Sequence, residues 1–188
     1  AAALASDKFD ARVNPFEIAA FLEDAASQAV RAADELSSVL ENTRERVELK
    51  TLAQEARALT ELGRSHAERL RALAFWALAG KTGDARWLAK SRESMARAAA
   101  HWKELSALTA SVYLPFDDPL RAGNGFTWAS QLPQFERLLA QIEKQTAKAR
   151  KKKQKTEGEP ELKLPERFER AQFTEPSVEL TRRKGALS

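Results

Sequence analysis

The chain has 188 residues, of which 43% are hydrophobic and 31% charged, and it contains 7 Gly, 7 Pro and no Cys. This composition excludes collagen-like and wholly disordered classes, and the absence of Cys excludes disulfides and thiolate metal sites. The formal net charge is +4, but one basic run near the C-terminus carries six positive charges, so the rest of the chain is close to neutral. No apolar run approaches the roughly 20 residues of a membrane span, and we find no signal-peptide pattern at the start.

The first predicted helix begins at Asn14, after an N-terminal arm formed by residues 1–13. Asn14 is a favoured N-cap, Pro15 suits the first helical position, and Glu17 completes a capping-box pattern. Apolar residues then recur every three or four positions, which is typical of a helix with one buried face. The residues predicted to form that face are Ile18, Leu22, Ala25, Ala29, Leu36 and Leu40.

A second helix is predicted from about residue 45 to about residue 79, because its apolar spacing alternates between three and four over about four heptads. This spacing resembles a coiled-coil seam. The predicted seam comprises Leu49, Leu52, Ala56, Leu59, Gly63, His66, Leu70, Leu73 and Ala77. His66 is therefore expected to be largely buried, and a core role is favoured for it over a catalytic or ligand role.

Two further helices complete the predicted fold. Asp84 is expected to cap a third helix that ends near Val112, and Thr127 or Ser130 to cap a fourth that has Pro133 in its first turn. The inward residues of these two helices are Leu88, Met95, Trp102, Leu105, Leu108, Val112, Leu132, Phe135, Leu138, Leu139 and Ile142. The predicted fold class is all-α: a four-helix, mostly up-and-down antiparallel bundle over residues 14–147, with an extended C-terminal tail.

The connection between the third and fourth helices is the predicted location of any binding site. It combines acceptors, a guanidinium and flat apolar rings, a mixture typical of surfaces that hold a sugar or a partner protein. The candidate residues are Tyr113, Asp117, Asp118, Arg121, Asn124, Phe126 and Trp128. In the alternative interpretation, the aromatic rings close the end of the bundle while Asp118 and Asn124 cap turns.

No pattern in the chain predicts catalysis, a metal or a cofactor. The chain lacks the Glu-x-x-His pairs of a di-iron bundle, a Gly-x-Ser-x-Gly elbow and a phosphate-binding glycine loop. His101 lies beside Trp102 at the edge of the third helix's apolar stripe, where a structural role again outweighs a functional one.

A basic run follows the fourth predicted helix and opens a linker, residues 148–165, of low hydrophobicity. Such a run attracts nucleic acid, anionic polysaccharide or a membrane surface, or it is simply a solvated linker or a frayed helix end. Its residues are Lys148, Arg150, Lys151, Lys152, Lys153 and Lys155. Residues 166–188 contain too few apolar side chains for a second core, so they are interpreted as a tail or the start of a further module.

Three segments together carry a resemblance to a known family: LGRSHAERLRALAFWALAGKTGD, AAAHWKELSALTASVYLPFDDPLR and FTWASQLPQFERLLAQIEK. They resemble the helical C-terminal region of large bacterial carbohydrate-active, glycoside-hydrolase-like proteins, in which a Leu-Gly-Arg segment, a His-Trp pair and a late Phe-x-Trp recur in this order. The resemblance covers about residues 13–144, and the lysine-rich linker is not part of the family's pattern. The residues at the recurring positions are Arg64, His101, Trp102, Phe126 and Trp128.

The resemblance implies an accessory domain whose companion catalytic domain or chain performs the chemistry. It also implies contact with polysaccharide and a periplasmic or secreted location. A second function remains open at this point: a free-standing helical adaptor whose basic run binds nucleic acid or another anionic partner.

Overall fold

The computed structural model of the chain describes residues 14–39, 46–118 and 123–153. Within these residues the chain forms four α-helices, a two-stranded antiparallel hairpin and a short 3-10 helix. The helices are α1 (Pro15–Val39), α2 (Arg46–Thr82), α3 (Ala85–Thr109) and α4 (Leu132–Lys153). The hairpin, with strands β1 (Phe116–Asp118) and β2 (Gly123–Phe126), and the 3-10 helix (Trp128–Gln131) connect α3 to α4.

Consecutive helices run antiparallel to each other. Ala26 of α1 accepts a hydrogen bond from Thr60 of α2, and Glu23 pairs with Arg71, so residue numbers fall on α1 as they rise on α2. The same reversal is seen in the contacts Ser65 with Ala98, Ala72 with Ser91, Trp102 with Phe135 and Arg92 with Glu143. The predicted up-and-down four-helix bundle is therefore confirmed for the described residues, and the predicted tail lies outside them.

The predicted capping residues begin their helices. The Phe16 amide donates to Asn14 Oδ1 at 2.9 Å, and the Asn14 amide donates to Glu17 Oε2 at 3.1 Å, which completes the capping box. Asp84 caps α3 by accepting from the Arg86 amide at 2.9 Å. These bonds satisfy amides that have no partner within the helix, which fixes where each helix starts.

Thr127 was predicted, with Ser130 as the alternative, to cap the fourth helix. It instead caps the 3-10 helix that leads into α4, which begins at Leu132. Pro133 then occupies the second position of α4, where the missing amide hydrogen costs nothing. At its other end α4 continues through Lys153, so the first residues of the expected linker, 148–153, belong to the helix.

Small residues on two faces of α2 form its interfaces with α1 and α3. Both sets recur every seventh residue, which keeps each set on one side of a helix. The α1 face is formed by Ala53, Thr60, Ala67 and Ala74, and the α3 face by Ala58, Ser65, Ala72 and Ala79, all of them buried. Because these side chains are small, the backbones of the neighbouring helices can approach closely.

Hydroxyl groups bond across these interfaces to backbone carbonyls of the neighbouring helix. Ser65 Oγ donates to the Ala98 carbonyl and Ser91 Oγ to the Ala72 carbonyl, each at 2.8 Å. Such bonds require the short separation that the small residues permit, and each stabilises the fold by about 1 kcal/mol.

The predicted seam of α2 is wrong as a description of the core. Leu52 is 54% exposed, Leu59 64% and Leu73 41%, and on α1 Ile18 is 38% exposed. The reason is that α2 lies between two helices and buries its small residues on both sides. The larger leucines consequently lie on a third face, which points away from both interfaces.

Larger side chains fill the two ends of the bundle. At one end, Phe16, Leu78 and Trp87 are buried, and the Phe75 ring stacks on Trp87 with centroids 5.9 Å apart. At the other end, α4 closes the groove between α2 and α3 with the buried residues Phe135 and Ile142. The second cluster combines these two with residues of α2 and α3, namely Ala58, Ala72, Met95, Ala98, Trp102 and Leu105.

Close packing at the small-residue interface predicts a steep cost for enlarging Ala98, which is fully buried. We expect Ala98→Leu to lower the free energy of unfolding by about 1–3 kcal/mol, because the added atoms push α2 and α3 apart. The matched control is Ala100→Leu, two residues away at an exposed position, which should change it by less than about 0.5 kcal/mol. Urea denaturation followed by circular dichroism measures both, and equal effects would contradict close packing at this interface.

Candidate functional site

A short hairpin shapes one end of the bundle. Phe116 of β1 lies opposite Phe126 of β2, and Asp118 lies opposite Gly123, with an irregularity between the two pairs. Gly125 has φ +78°, a backbone conformation that favours glycine, and this allows the chain to turn back toward Pro115. The hairpin thereby brings the end of β2 next to the end of α3.

A pocket of about 210 Å³ lies between the end of α3 and the segment that follows the hairpin. Its aromatic surface is formed by Tyr113, Phe126 and Trp128, with the Phe126 and Trp128 rings 5.7 Å apart and nearly perpendicular. The other lining residues are Ser106, Thr109, Ala110, Leu114, Pro115, Thr127 and Ala129. An apolar surface with a few polar groups at its edge is the usual composition of a small-ligand site.

Trp102 fixes the position of the pocket's wall. Its Nε1 donates to the Trp128 carbonyl at 2.7 Å, and its ring contacts the Trp128 ring at 5.4 Å. Since Trp102 is only 8% exposed, it supports the pocket from behind and does not face a ligand.

The polar groups of the pocket are mostly hydroxyls. Ser106 Oγ donates to the Trp102 carbonyl and Thr109 Oγ1 to the Leu105 carbonyl, so both leave only acceptor lone pairs. The Tyr113 hydroxyl donates to Glu55 at 3.3 Å, and the pKa of Tyr113 is raised by loss of hydration and by the Glu55 carboxylate. The described lining residues include no His, Asp, Glu, Lys or Arg.

The structure brings three of the predicted loop residues together, namely Tyr113, Phe126 and Trp128. Asp117 and Asp118 lie on β1 and Asn124 lies on β2, but their side chains fall outside what the structure describes. Arg121 lies outside the described residues altogether. Their proposed part in binding stays a prediction.

Arg64 and His101 lie together in a different place, where both bind one carboxylate. Glu61 Oε1 accepts from Arg64 at 3.0 Å, and Glu61 Oε2 lies 2.7 Å from His101 Nδ1. This trio links α2 to α3 and includes none of the pocket's lining residues. A second network continues along the same side, where Arg71 pairs with Glu23 and Glu68 and has its pKa raised chiefly by the hydrogen bond to Glu23.

The candidate residues for an anionic partner lie at the end of α4 or beyond it. Lys148 is exposed, and Arg150 and residues 151–153 continue the helix without described side chains, while Lys155 lies outside the described residues. Cations in the last turns of a helix interact favourably with its dipole, so several of these residues can stabilise the end of α4 without binding a partner.

Within 14–39, 46–118 and 123–153, no group of three or more His, Cys, Asp or Glu side chains could hold a metal ion. None of the helices in these ranges combines the length and apolar character that a membrane crossing requires.

No protein-family model, no curated protein and no solved structure matches the chain. The interpretation of the site therefore depends on its geometry.

Sequence reasoning missed the half of the pocket that belongs to α3 and its C-terminal turn. Ser106, Thr109 and Leu114 carry no motif, and they join the pocket only because the hairpin folds back over them. The sequence held one signal, because a large apolar residue, Leu114, directly follows the predicted end of the third helix. In the structure this side chain is 87% exposed.

His66 is exposed, so the expectation that it is largely buried was wrong. It lies on the third face of α2, in line with the exposed leucines, and its ring meets the Trp102 ring edge-on at 6.2 Å. Partial burial and, secondarily, the charge of Arg69 lower the pKa of His66 below its usual value.

The lowered pKa predicts a pH-dependent contribution of His66 to stability. The folded chain binds this proton less readily than the unfolded chain, whose histidine pKa is about 6.5. Stability from this group should be complete above that pH and decline as the pH falls through the folded pKa. We expect His66→Gln to reduce the decline in the free energy of unfolding between about pH 7.5 and about pH 5.5, measured by urea denaturation.

An NMR titration of the imidazole protons provides the control, because the chain has only 2 His and the His66→Gln variant assigns them. A His66 pKa at or above the unfolded value would contradict the effect of burial on this imidazole.

Proposed function

We propose that this chain is a non-catalytic helical accessory or scaffold domain of a larger bacterial glycan-processing protein. In this proposal it docks on a companion catalytic domain or chain and contributes to carbohydrate binding. The observation that carries the proposal is the pocket beside the hairpin, with its aromatic rings and hydroxyl groups. Sugar rings present apolar C–H faces together with hydroxyls, and aromatic rings and hydroxyl acceptors complement the two.

The chemistry of the pocket favours holding a neutral ligand. Tyr113 is 48% exposed and Trp128 half-buried, so both rings offer surface to a ligand while Trp102 holds Trp128 in place. A rigid ring loses little conformational entropy when a ligand binds, which increases the affinity obtained from a small contact. Catalysis is then assigned to the companion, because the described lining residues offer no acid–base pair.

Binding to polysaccharide tests the proposal directly. Affinity electrophoresis through gels that contain neutral or acidic polysaccharides should show retardation of the chain by at least one of them. Tyr113→Ala should weaken that binding about tenfold, because a stacking surface is lost without disturbing the core. Trp128→Ala should weaken it at least as much.

The matched control is Phe21→Ala, which removes a ring that is 51% exposed on α1, away from the pocket. Its retardation should equal that of the unmodified chain. Circular dichroism of each variant separates lost binding from lost folding. If no polysaccharide retards the chain and its coding sequence has no neighbouring glycan-processing domain, the proposal is wrong.

A further inference from the structure

A regular apolar line on α2 has no cover among the described residues. It consists of Leu52, Leu59, His66 and Leu73, each seven residues after the last and all exposed. The three leucines are 54%, 64% and 41% exposed. Single exposed leucines are ordinary, but a continuous line with the seven-residue repeat is the surface that a second helix packs against.

The line lies in a channel between two helices. On one side, Gly63 of α2 faces α1, since a Cβ at Gly63 would lie 3.5 Å from the Ala26 Cβ. On the other side α4 approaches, with Arg69 placed 6.0 Å from the centroid of the Phe135 ring. The channel therefore exposes α2 along the apolar line and borders it with α1 and α4.

Charges beside the line identify what would fit it. Glu55 and Arg69 lie on its α4 side, two turns of α2 on either side of Leu62. Glu55 accepts a hydrogen bond from Tyr113 and Arg69 lies over the Phe135 ring, but neither forms an ion pair among the described residues. Arg57, Arg64 and Arg71, on the opposite side of α2, differ in this respect, because each forms an ion pair, with Asp34 or Glu23 of α1 or with Glu61 of α2.

We propose that a second copy of this chain docks on the line, with the two α2 helices antiparallel. A pairing centred near Leu62 places Leu52 against Leu73 of the second copy and Leu59 against His66, because each pair is nearly equidistant from the centre. The same pairing places Glu55 opposite Arg69 of the second copy. A two-fold axis repeats each contact, so one dimer contains two such charge pairs.

Sedimentation equilibrium of the full chain tests the proposal, and we expect a dimer to be populated between about 1 and about 100 µM. Glu55→Arg and Arg69→Glu should each raise the dimer dissociation constant at least about tenfold, because like charges then face each other. The double variant E55R/R69E should restore it to within about threefold of the original value, since opposite charges face again. Restoration distinguishes an antiparallel pairing from general damage to the fold.

Leu59→Glu should abolish the dimer by placing a charge in the line. The matched control is Val47→Glu, at a residue that is 79% exposed on the same helix but off the line, and it should leave the dimer unchanged. Circular dichroism confirms that each variant is folded. A chain that is monomeric at about 100 µM would overturn the proposal, whether the line is then bare or covered by another occupant. A dimer that Leu59→Glu does not weaken, or charge reversals that do not compensate, would also overturn it.

Discussion

Close approach of α2 to both α1 and α3 is the constraint on which the rest of the structure depends. Alanine and hydroxyl side chains at seven-residue intervals line both interfaces, so little apolar volume separates the backbones. Each contact then contributes through dispersion over short distances and through hydroxyl bonds such as Ser65 to Ala98. α4 packs its larger apolar face into the groove between α2 and α3.

This constraint also determines where the charged and apolar residues of α2 lie. The side between its two interfaces carries paired charges, including Arg64 with Glu61 and Arg71 with Glu23. The side opposite carries Leu59 and its neighbours in the apolar line. These pairs are only partly exposed to water, since the Arg64 and Glu61 side chains are 34% and 15% exposed.

Helix positions were predictable from the sequence because capping and spacing are local. Asn14 and Asp84 start helices through bonds to amides two residues away, and no other part of the chain is needed to form them. The buried face of α2 was not predictable in the same way. Hydrophobicity ranks Leu59 above Ala58, yet Ala58 is buried and Leu59 exposed, because burial depends on which side of α2 its neighbouring helices occupy.

Only part of the pocket was predictable from the sequence. Its aromatic half, Phe126 and Trp128, follows from an unusual local composition, but its other half follows from the way the hairpin folds back on the end of α3. The resemblance also placed His101 beside Trp102 in one motif, yet the two side chains have different roles. His101 binds Glu61 and joins α2 to α3, while Trp102 holds the Trp128 carbonyl. Adjacent residues on a helix lie about 100° apart around its axis, so the two members of a sequence pair contact different neighbours. One member of this pair therefore holds the bundle together while the other shapes the pocket.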